Sequence, residues 1–344
     1  MGTSIFVASF IFGLFLLGVI LVAQYYLFEF DALTGLLIAL AGVVLFILLQ
    51  YAIGPAIVSA ATHLHYLKPG ENPWLEKTVG DLAVKSGLPM PRLAVVPNQT
   101  PNAFTFGRTS KSATLAVHEG LLRSLNENEV RGVIAHELGH IKHKDYVVMT
   151  ILSALPLIAY IIAQMAFRAG MFSSHSRGRN KEGNAGAALV IIGVISFLVY
   201  IISFLSVMRL SRLREHFADA FSAYVTGSPR SLESALAKIT YGLSIAPKVT
   251  AEARAFYIED PTMAKQEIQA VMEKKDEYDL DRDGILDEHE LSVAMEKEAK
   301  DTWTQMNNLF GTHPPTFKRI LLLWEIENEM NTGNYTTDRI YAHV

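Results

Sequence analysis

The chain has 344 residues, of which 50% are hydrophobic and 19% charged, where an average soluble domain carries about 25% charged residues. Its mean hydropathy is positive, which points to a membrane protein, and its net charge of −4 offers no basic field to hold a polyanion, so no nucleic-acid partner is expected. Cysteine is absent, which excludes disulfides, thiolate metal ligands and a cysteine nucleophile, and leaves any transition metal to His and carboxylates.

Two apolar runs open the chain, from about Ile5 to Phe28 and from about Ala32 to Val58, each long enough for the ~20 residues that cross a bilayer. The first lacks a basic leader and a small-residue cleavage site, so it reads as a retained anchor. The turn between them, Glu29 to Asp31, carries no Lys or Arg, and the positive-inside rule then puts the N-terminus and everything after Val58 in the cytoplasm. From Thr62 to Asp145 the pattern is that of a small α+β unit. It predicts a helix near Pro73 to Lys85 and strands near Leu93 to Val96 and Ser112 to Val117, with turns at Gly87, Pro91, Pro97 and Gly107. Asn126, with Glu129 three residues on, is a capping box that starts a further helix, and the segment HELGH lies inside it.

Two more apolar runs, Val147 to Phe167 and Ala187 to Met208, predict a second membrane hairpin. Its loop, Ser173 to Gly186, reads as mobile. The flanking Lys142, Lys144, Arg209, Arg212 and Arg214 favour the outer ends being cytoplasmic by a small margin over the loop cations. A second soluble piece runs from Arg209 to the end.

Within HELGH, His136 and His140 are four residues apart and share one helical face with Glu137 beside them. Two neutral imidazoles leave a zinc ion in need of a third protein ligand and an open position for water, and Glu137 is placed as the general base. HExxH alone is a weak pattern. The run SRLREHFADAFSA strengthens it, because Glu215 and Asp219 again share one helical face: Glu215 is the candidate third ligand, ahead of His216, and Asp219 a candidate to orient a ligand histidine. A hairpin that crosses and returns brings His140 and Glu215 to the same side of the membrane.

HELGH, then EHFAD, then HPPTFKRI, in a chain with two N-terminal apolar runs and a central hairpin, resembles the HtpX-like membrane metalloproteases, distant relatives of the CaaX-type prenyl proteases. That resemblance implies a zinc endopeptidase of the cytoplasmic membrane that cleaves damaged or misfolded membrane proteins on their cytosolic side. It also implies zinc ligands at His136, His140 and Glu215, oxyanion stabilisation by His313 and Arg319, and substrate contacts from Asn102 and Phe104 in PNAFTFGR. The strand Ser112 to Val117 is then expected to pair by its edge with an extended substrate.

One stretch departs from this pattern. DLDRDGILDEHE sets Asp279, Asp281 and Asp283 at loop positions 1, 3 and 5, Gly284 at 6, the Ile285 carbonyl at 7, Asp287 at 9 and Glu290 at 12, which is a complete EF-hand loop for Ca2+. The expected fold class is a mainly α membrane protein: four transmembrane or membrane-inserted helices, a zincin-like α+β catalytic domain of the gluzincin type and a single EF-hand helix-loop-helix. The expected division is residues 1–61 and 147–208 as membrane hairpins, 62–146, 209–261 and 302–344 as catalytic parts, and 262–301 as the calcium insertion. Alternative readings are a CaaX-type prenyl protease, against which stand only four candidate spans, and a non-catalytic calcium-responsive membrane adaptor, against which stands Glu137.

Overall fold

A computed structural model describes residues 32–173, 182–244, 257–258, 261–278, 313–333, 335 and 340–342. The chain divides into two units, one of Met1–Gly54 with Val148–Val207, the other of Pro55–Val147 with Met208–Val344. The expected first anchor, Ile5 to Phe28, lies outside the described residues.

In the first unit the uncharged run folds as helix α1 (Ala32–Thr62), which reaches into the second. The third and fourth apolar runs belong to α5 (Asp145–Ser173) and α6 (Glu182–Thr226). Within these two, Asp145–Arg168 and Gly186–Thr226 are long and apolar enough to cross a membrane, and they expose large apolar side chains such as Met165, Ile191 and Leu198. The sequence reading treats the fourth apolar run and EHFAD as separate pieces. They form one unbroken helix, because no Gly or Pro interrupts the chain between Gly193 and Gly227.

The second unit is built on a four-stranded sheet in the order β1 (His65–Tyr66), β2 (Arg92–Val96), β4 (Thr114–His118), β3 (Ala103–Phe106). β2 and β4 are parallel, and the other pairs antiparallel, with Ala103 opposite Val117 and Phe106 opposite Thr114. This corrects the expectation for Ser112 to Val117. That stretch forms the interior strand β4, hydrogen-bonded on both sides, so it has no edge to offer a peptide. Among the described residues the sheet ends in β1 on one side and in β3 on the other, and Ala103, Phe104 and Phe106 of β3 are buried.

Helix α2 (Pro73–Ser86) starts where Asn72 Oδ1 accepts from Leu75 N at 3.1 Å and Pro73 presets the first turn, and it stops at Gly87 with φ +63°. A short α3 (Glu119–Ser124) follows β4 and leads to α4 (Glu127–His143), the helix that carries HELGH. Val79 and Leu82 of α2, Leu115 and Val117 of β4, and Val133, Ile134, Leu138 and Ile141 of α4 share one buried core with Leu232, Leu236 and Ile239 of α7 (Pro229–Ser244), with Ala264 of α8 (Pro261–Glu273) and with Leu323 and Ile326 of the later helix α10 (Thr316–Asn331). The α8 helix is followed by the short α9 (Lys275–Tyr278), whose Tyr278 is buried. The calcium-loop positions Asp279, Asp281, Asp283, Ile285, Asp287 and Glu290 lie outside the described residues.

Candidate metal centre

The register of α4 is locked at its start. Asn126 Oδ1 accepts from Glu129 N at 3.0 Å while Glu129 Oε2 accepts from Asn126 N at 2.8 Å, the reciprocal capping box. Glu129 also accepts from Ser234 Oγ at 2.6 Å and Lys238 Nζ at 2.7 Å, which ties the same turn to α7. With that turn fixed, helical geometry decides which way His136, Glu137 and His140 point two and three turns later.

They point toward α6. His136 Nε2 lies 3.1 Å from His140 Nε2, while Glu215 Oε2 lies 3.5 Å from His136 Nε2 and Glu215 Oε1 lies 3.6 Å from His140 Nε2. Three donors around one zinc at about 2.0–2.1 Å in tetrahedral geometry stand about 3.3 Å from one another, so the spacing suits that ion. The donor set is also chemically apt: two imidazoles and a carboxylate, with Glu215 Oε2 buried outside good hydrogen-bonding geometry to its neighbours. A Glu137 oxygen and one nitrogen of each imidazole all fall within 4.8 Å of each other.

The far side of each imidazole is held by an acid. His136 Nδ1 is 2.9 Å from Asp219 Oδ1, and His140 Nδ1 is 2.7 Å from Asp145 Oδ2. A carboxylate on Nδ1 makes that atom the N–H donor and leaves the Nε2 lone pair free for a metal. Asp145 escapes sequence reasoning because α4 ends in between: Lys144 takes a left-handed conformation, φ +58°, and its N–H closes on the His140 and Ile141 carbonyls. The helix ends there, so no helical spacing relates Asp145 to His140. The signal that could have found it is the acid directly after a capped helix end. Arg214 pairs with the other oxygen of Asp145.

Glu137 is buried, and that burial pushes its carboxyl up from the usual range against the pull of the two imidazoles; the Thr105 hydroxyl of β3 hydrogen-bonds to it. His313 comes to the same cluster, with Nδ1 3.4 Å from Glu215 Oε2. Arg319 does not stand open to a substrate, as the oxyanion expectation requires. It is fully buried, donates Nε and Nη2 to the two Asp219 oxygens at 2.9 and 2.7 Å, and donates Nη1 to the Ile258 carbonyl at 2.8 Å. A fork matched to one carboxylate has its donors committed; Arg319 thus reaches His136 through Asp219, and its Nη1 also stands 3.7 Å from Glu215 Oε2.

Asn102 and Phe104, expected at the substrate, also face inward. Asn102 is 0% exposed, with Oδ1 accepting from Ile258 N at 2.9 Å, so it joins the train Asn102, Ile258, Arg319, Asp219, His136. Phe104 packs with Val96, Phe106 and Ala116 and meets the His118 ring edge-on at 6.0 Å. The residue of that strand turned to the metal centre is Thr105, as the alternation of a strand dictates.

Comparison with known proteins shows the family. The description Peptidase family M48 matches residues 69–327. A protease HtpX homolog of Aeropyrum pernix is 34% identical over 303 residues, 85% of this chain and 89% of its own length. One from Methanothermobacter thermautotrophicus is 40% identical over 58% of this chain and 71% of its own, and one from Lactobacillus helveticus 33% identical over 69% and 80%. The crystal structure of S. mikatae Ste24p aligns with 92% of this chain and 63% of its own at 18% identity and a TM-score of 0.46, so the chain spans less than two thirds of that protein. With three quarters of its length matched and its two-histidine, two-acid cluster assembled from HELGH and EHFAD, the chain belongs to peptidase family M48 and is a metalloprotease.

Proposed function

We propose that the chain is a zinc-dependent endopeptidase of the cytoplasmic membrane, multi-pass and with its active site facing the cytoplasm, that hydrolyses peptide bonds of damaged or misfolded membrane proteins. The observation that carries this reading is the convergence of His136, His140 and Glu215 at zinc-ligand spacing with Glu137 alongside. A purely structural site has no need of a buried acid between its ligands.

Zinc, when bound, would lower the pKa of a water toward about 7 and polarise the scissile carbonyl. Glu137 accepts the proton of that water as its oxygen attacks the carbonyl carbon, and then delivers the proton to the leaving amine nitrogen as the C–N bond breaks. The burial that raises the Glu137 carboxyl suits it to both halves of this transfer, and the Thr105 hydroxyl holds it in place. The open edge of β3 would receive an extended peptide by main-chain pairing beside that same residue. His313 is the group of the HPP segment available to the carbonyl oxygen as negative charge develops.

Membrane placement is supported by the two long apolar helices, and cytoplasmic orientation by Lys142, Lys144, Arg209 and Arg212 at the ends nearest the metal cluster in sequence. The loop Asp279 to Glu290 is read, on its spacing alone, as a Ca2+ site that braces residues 262–310. Glu290→Gln is expected to abolish calorimetric Ca2+ binding and the protease resistance that Ca2+ confers on that segment; resistance unchanged by either would remove the calcium reading.

The test of the main reading uses the purified full chain in detergent, wild type against Glu137→Ala, with cleavage of casein and of a membrane protein followed and zinc measured on both. Cleavage lost with zinc retained is the expected result. Equal cleavage by the two would overturn the mechanism.

A further inference from the structure

Helix α10 begins without a cap of its own. Pro315 occupies the N-cap, where its side chain makes no hydrogen bond, and Pro314 before it likewise has no N–H, so the segment His313-Pro314-Pro315 is stiff but cannot satisfy the first turn. The cap is supplied from elsewhere. The Thr316 N–H donates to the Glu267 carboxylate of α8, 3.2 Å from each oxygen, and the Thr316 hydroxyl hydrogen-bonds with the Thr240 hydroxyl of α7 at 2.9 Å.

This one N–H lies midway between two residues of the metal centre. His313 is three residues before Thr316, and its Nδ1 is 3.4 Å from Glu215; Arg319 is three residues after it, forked onto Asp219. The α8 helix that bears Glu267 is itself anchored, with Ala264 fully buried and the helix packed on α7. Because a carboxylate at a helix N-terminus is held both by the N–H and by the aligned peptide dipoles, it fixes where the helix starts.

We infer that Glu267 is a positioning residue: from outside the metal cluster it sets the start of α10, and through the rigid Pro-Pro turn it sets where His313 stands against Glu215. The inference rests on the peptidase reading above. Burial pushes the Glu267 carboxyl up to about 7, so the acid is kept here against its own desolvation, with Thr316 and the Arg319 charge opposing that shift. Glu267 also ties the helix leading into the Asp279 to Glu290 loop directly to the HPP segment, a connection that the spacing of the sequence does not show.

The experiment compares full-length wild type, Glu267→Ala, Glu267→Gln and Glu137→Gln in detergent. It reads kcat and KM on a fluorogenic peptide, Ki for a peptide phosphonate that mimics the tetrahedral intermediate, zinc content and Tm. Glu267→Ala should lower kcat on the order of tenfold to a hundredfold, the effect of misplacing a catalytic group by a fraction of its reach. It should weaken the phosphonate by a similar factor, since both report the transition-state geometry, while KM stays within about threefold and zinc stays bound. Glu267→Gln keeps an acceptor for Thr316 N–H and should recover kcat to within about fivefold of wild type. The inference is overturned if Glu267→Ala keeps kcat within about threefold, if Glu267→Gln loses as much as Glu267→Ala, or if kcat falls only in step with zinc and Tm. Wild type and Glu137→Gln cleaving alike would instead be the failure of the peptidase reading, recognisable because it appears whatever stands at position 267.

Discussion

Asp145 does for His140 what Asp219 does for His136: it takes the Nδ1 proton in a hydrogen bond and leaves Nε2 aimed at Glu215. Acids in this position stiffen the ring and raise the basicity of the ligand nitrogen, and losing one typically weakens a metal site 10–100-fold, roughly. Asp145→Asn is therefore expected to weaken zinc binding by about that factor in chelator competition, with α4 intact by circular dichroism. Affinity equal to wild type would show that Asp145 serves Arg214 alone. The two acids differ in how legible they are. Asp219 follows from the four-residue spacing of EHFAD, whereas Asp145 lies beyond a left-handed cap where spacing carries no information. His118 was invisible for another reason, since nothing in its surroundings along the chain marks it as buried. In the fold it is 3% exposed, with Nδ1 2.9 Å from the Thr100 carbonyl and its ring against Phe104 and Tyr257, and burial pushes its pKa down to about 4. An unfolded His takes its proton near pH 6.5, so between that pH and about 4 the unfolded chain binds more protons and stability falls as pH falls. His118→Phe is expected to flatten the decline of Tm over this window, recovering on the order of 2 kcal/mol at its acid end. Some slope should persist from His143, which is likewise pushed down to about 4 by burial. An unchanged slope would remove His118 as a source of acid sensitivity.

Between helices the determining residue is a glycine inside the motif itself. A Cβ added to Gly139 would lie 3.1 Å from the Ala218 Cα and 3.2 Å from a Phe221 ring carbon, so α4 and α6 approach at this point as closely as their backbones allow. That approach is what lets Glu215 of α6 reach both imidazoles of α4. Gly139→Val is expected to push the helices apart, destabilising the fold by about 1–3 kcal/mol as overpacking does, and to weaken zinc affinity more than a surface substitution of equal destabilising effect. Zinc affinity that follows stability alone, measured by titration at matched fractions folded, would refute the specific coupling. The helices of this centre were readable because their signals are local: a capping box at Asn126 and Glu129, Asn72 with Pro73, and apolar residues at helical spacing. The sheet was not. Ser112 to Val117 shows its β character but not its neighbours, and PNAFTF shows neither, because strand order is set by partners distant in sequence, such as Arg92 opposite Thr114. The edge strand next to Glu137, Ala103–Phe106, is therefore not legible in the sequence.

The catalytic unit is assembled from two stretches of chain, Pro55–Val147 and Met208–Val344, with the apolar segment Val148–Val207 between them. The candidate metal ligands divide the same way, His136 and His140 on the first stretch and Glu215 on the second. A zinc ion held by all three would cross-link the stretches, so its binding free energy adds to the stability of this unit. Free zinc at a hundred times its Kd would add about 2.7 kcal/mol, which for a unit of this size moves Tm by roughly 5–11 °C. Zinc removal from the full chain is expected to produce a drop of that order and re-addition to reverse it. The variants give the shift its meaning. His140→Ala, a ligand removed, should melt near the apo wild type whether zinc is present or not, whereas Glu137→Gln, a base removed, should keep the whole zinc-dependent rise although its cleavage is lost. If His140→Ala still gained the full rise, the zinc would be bound elsewhere. If Glu137→Gln lost it, Glu137 would be a ligand rather than the base, and the division of labour within HELGH would have to be reversed.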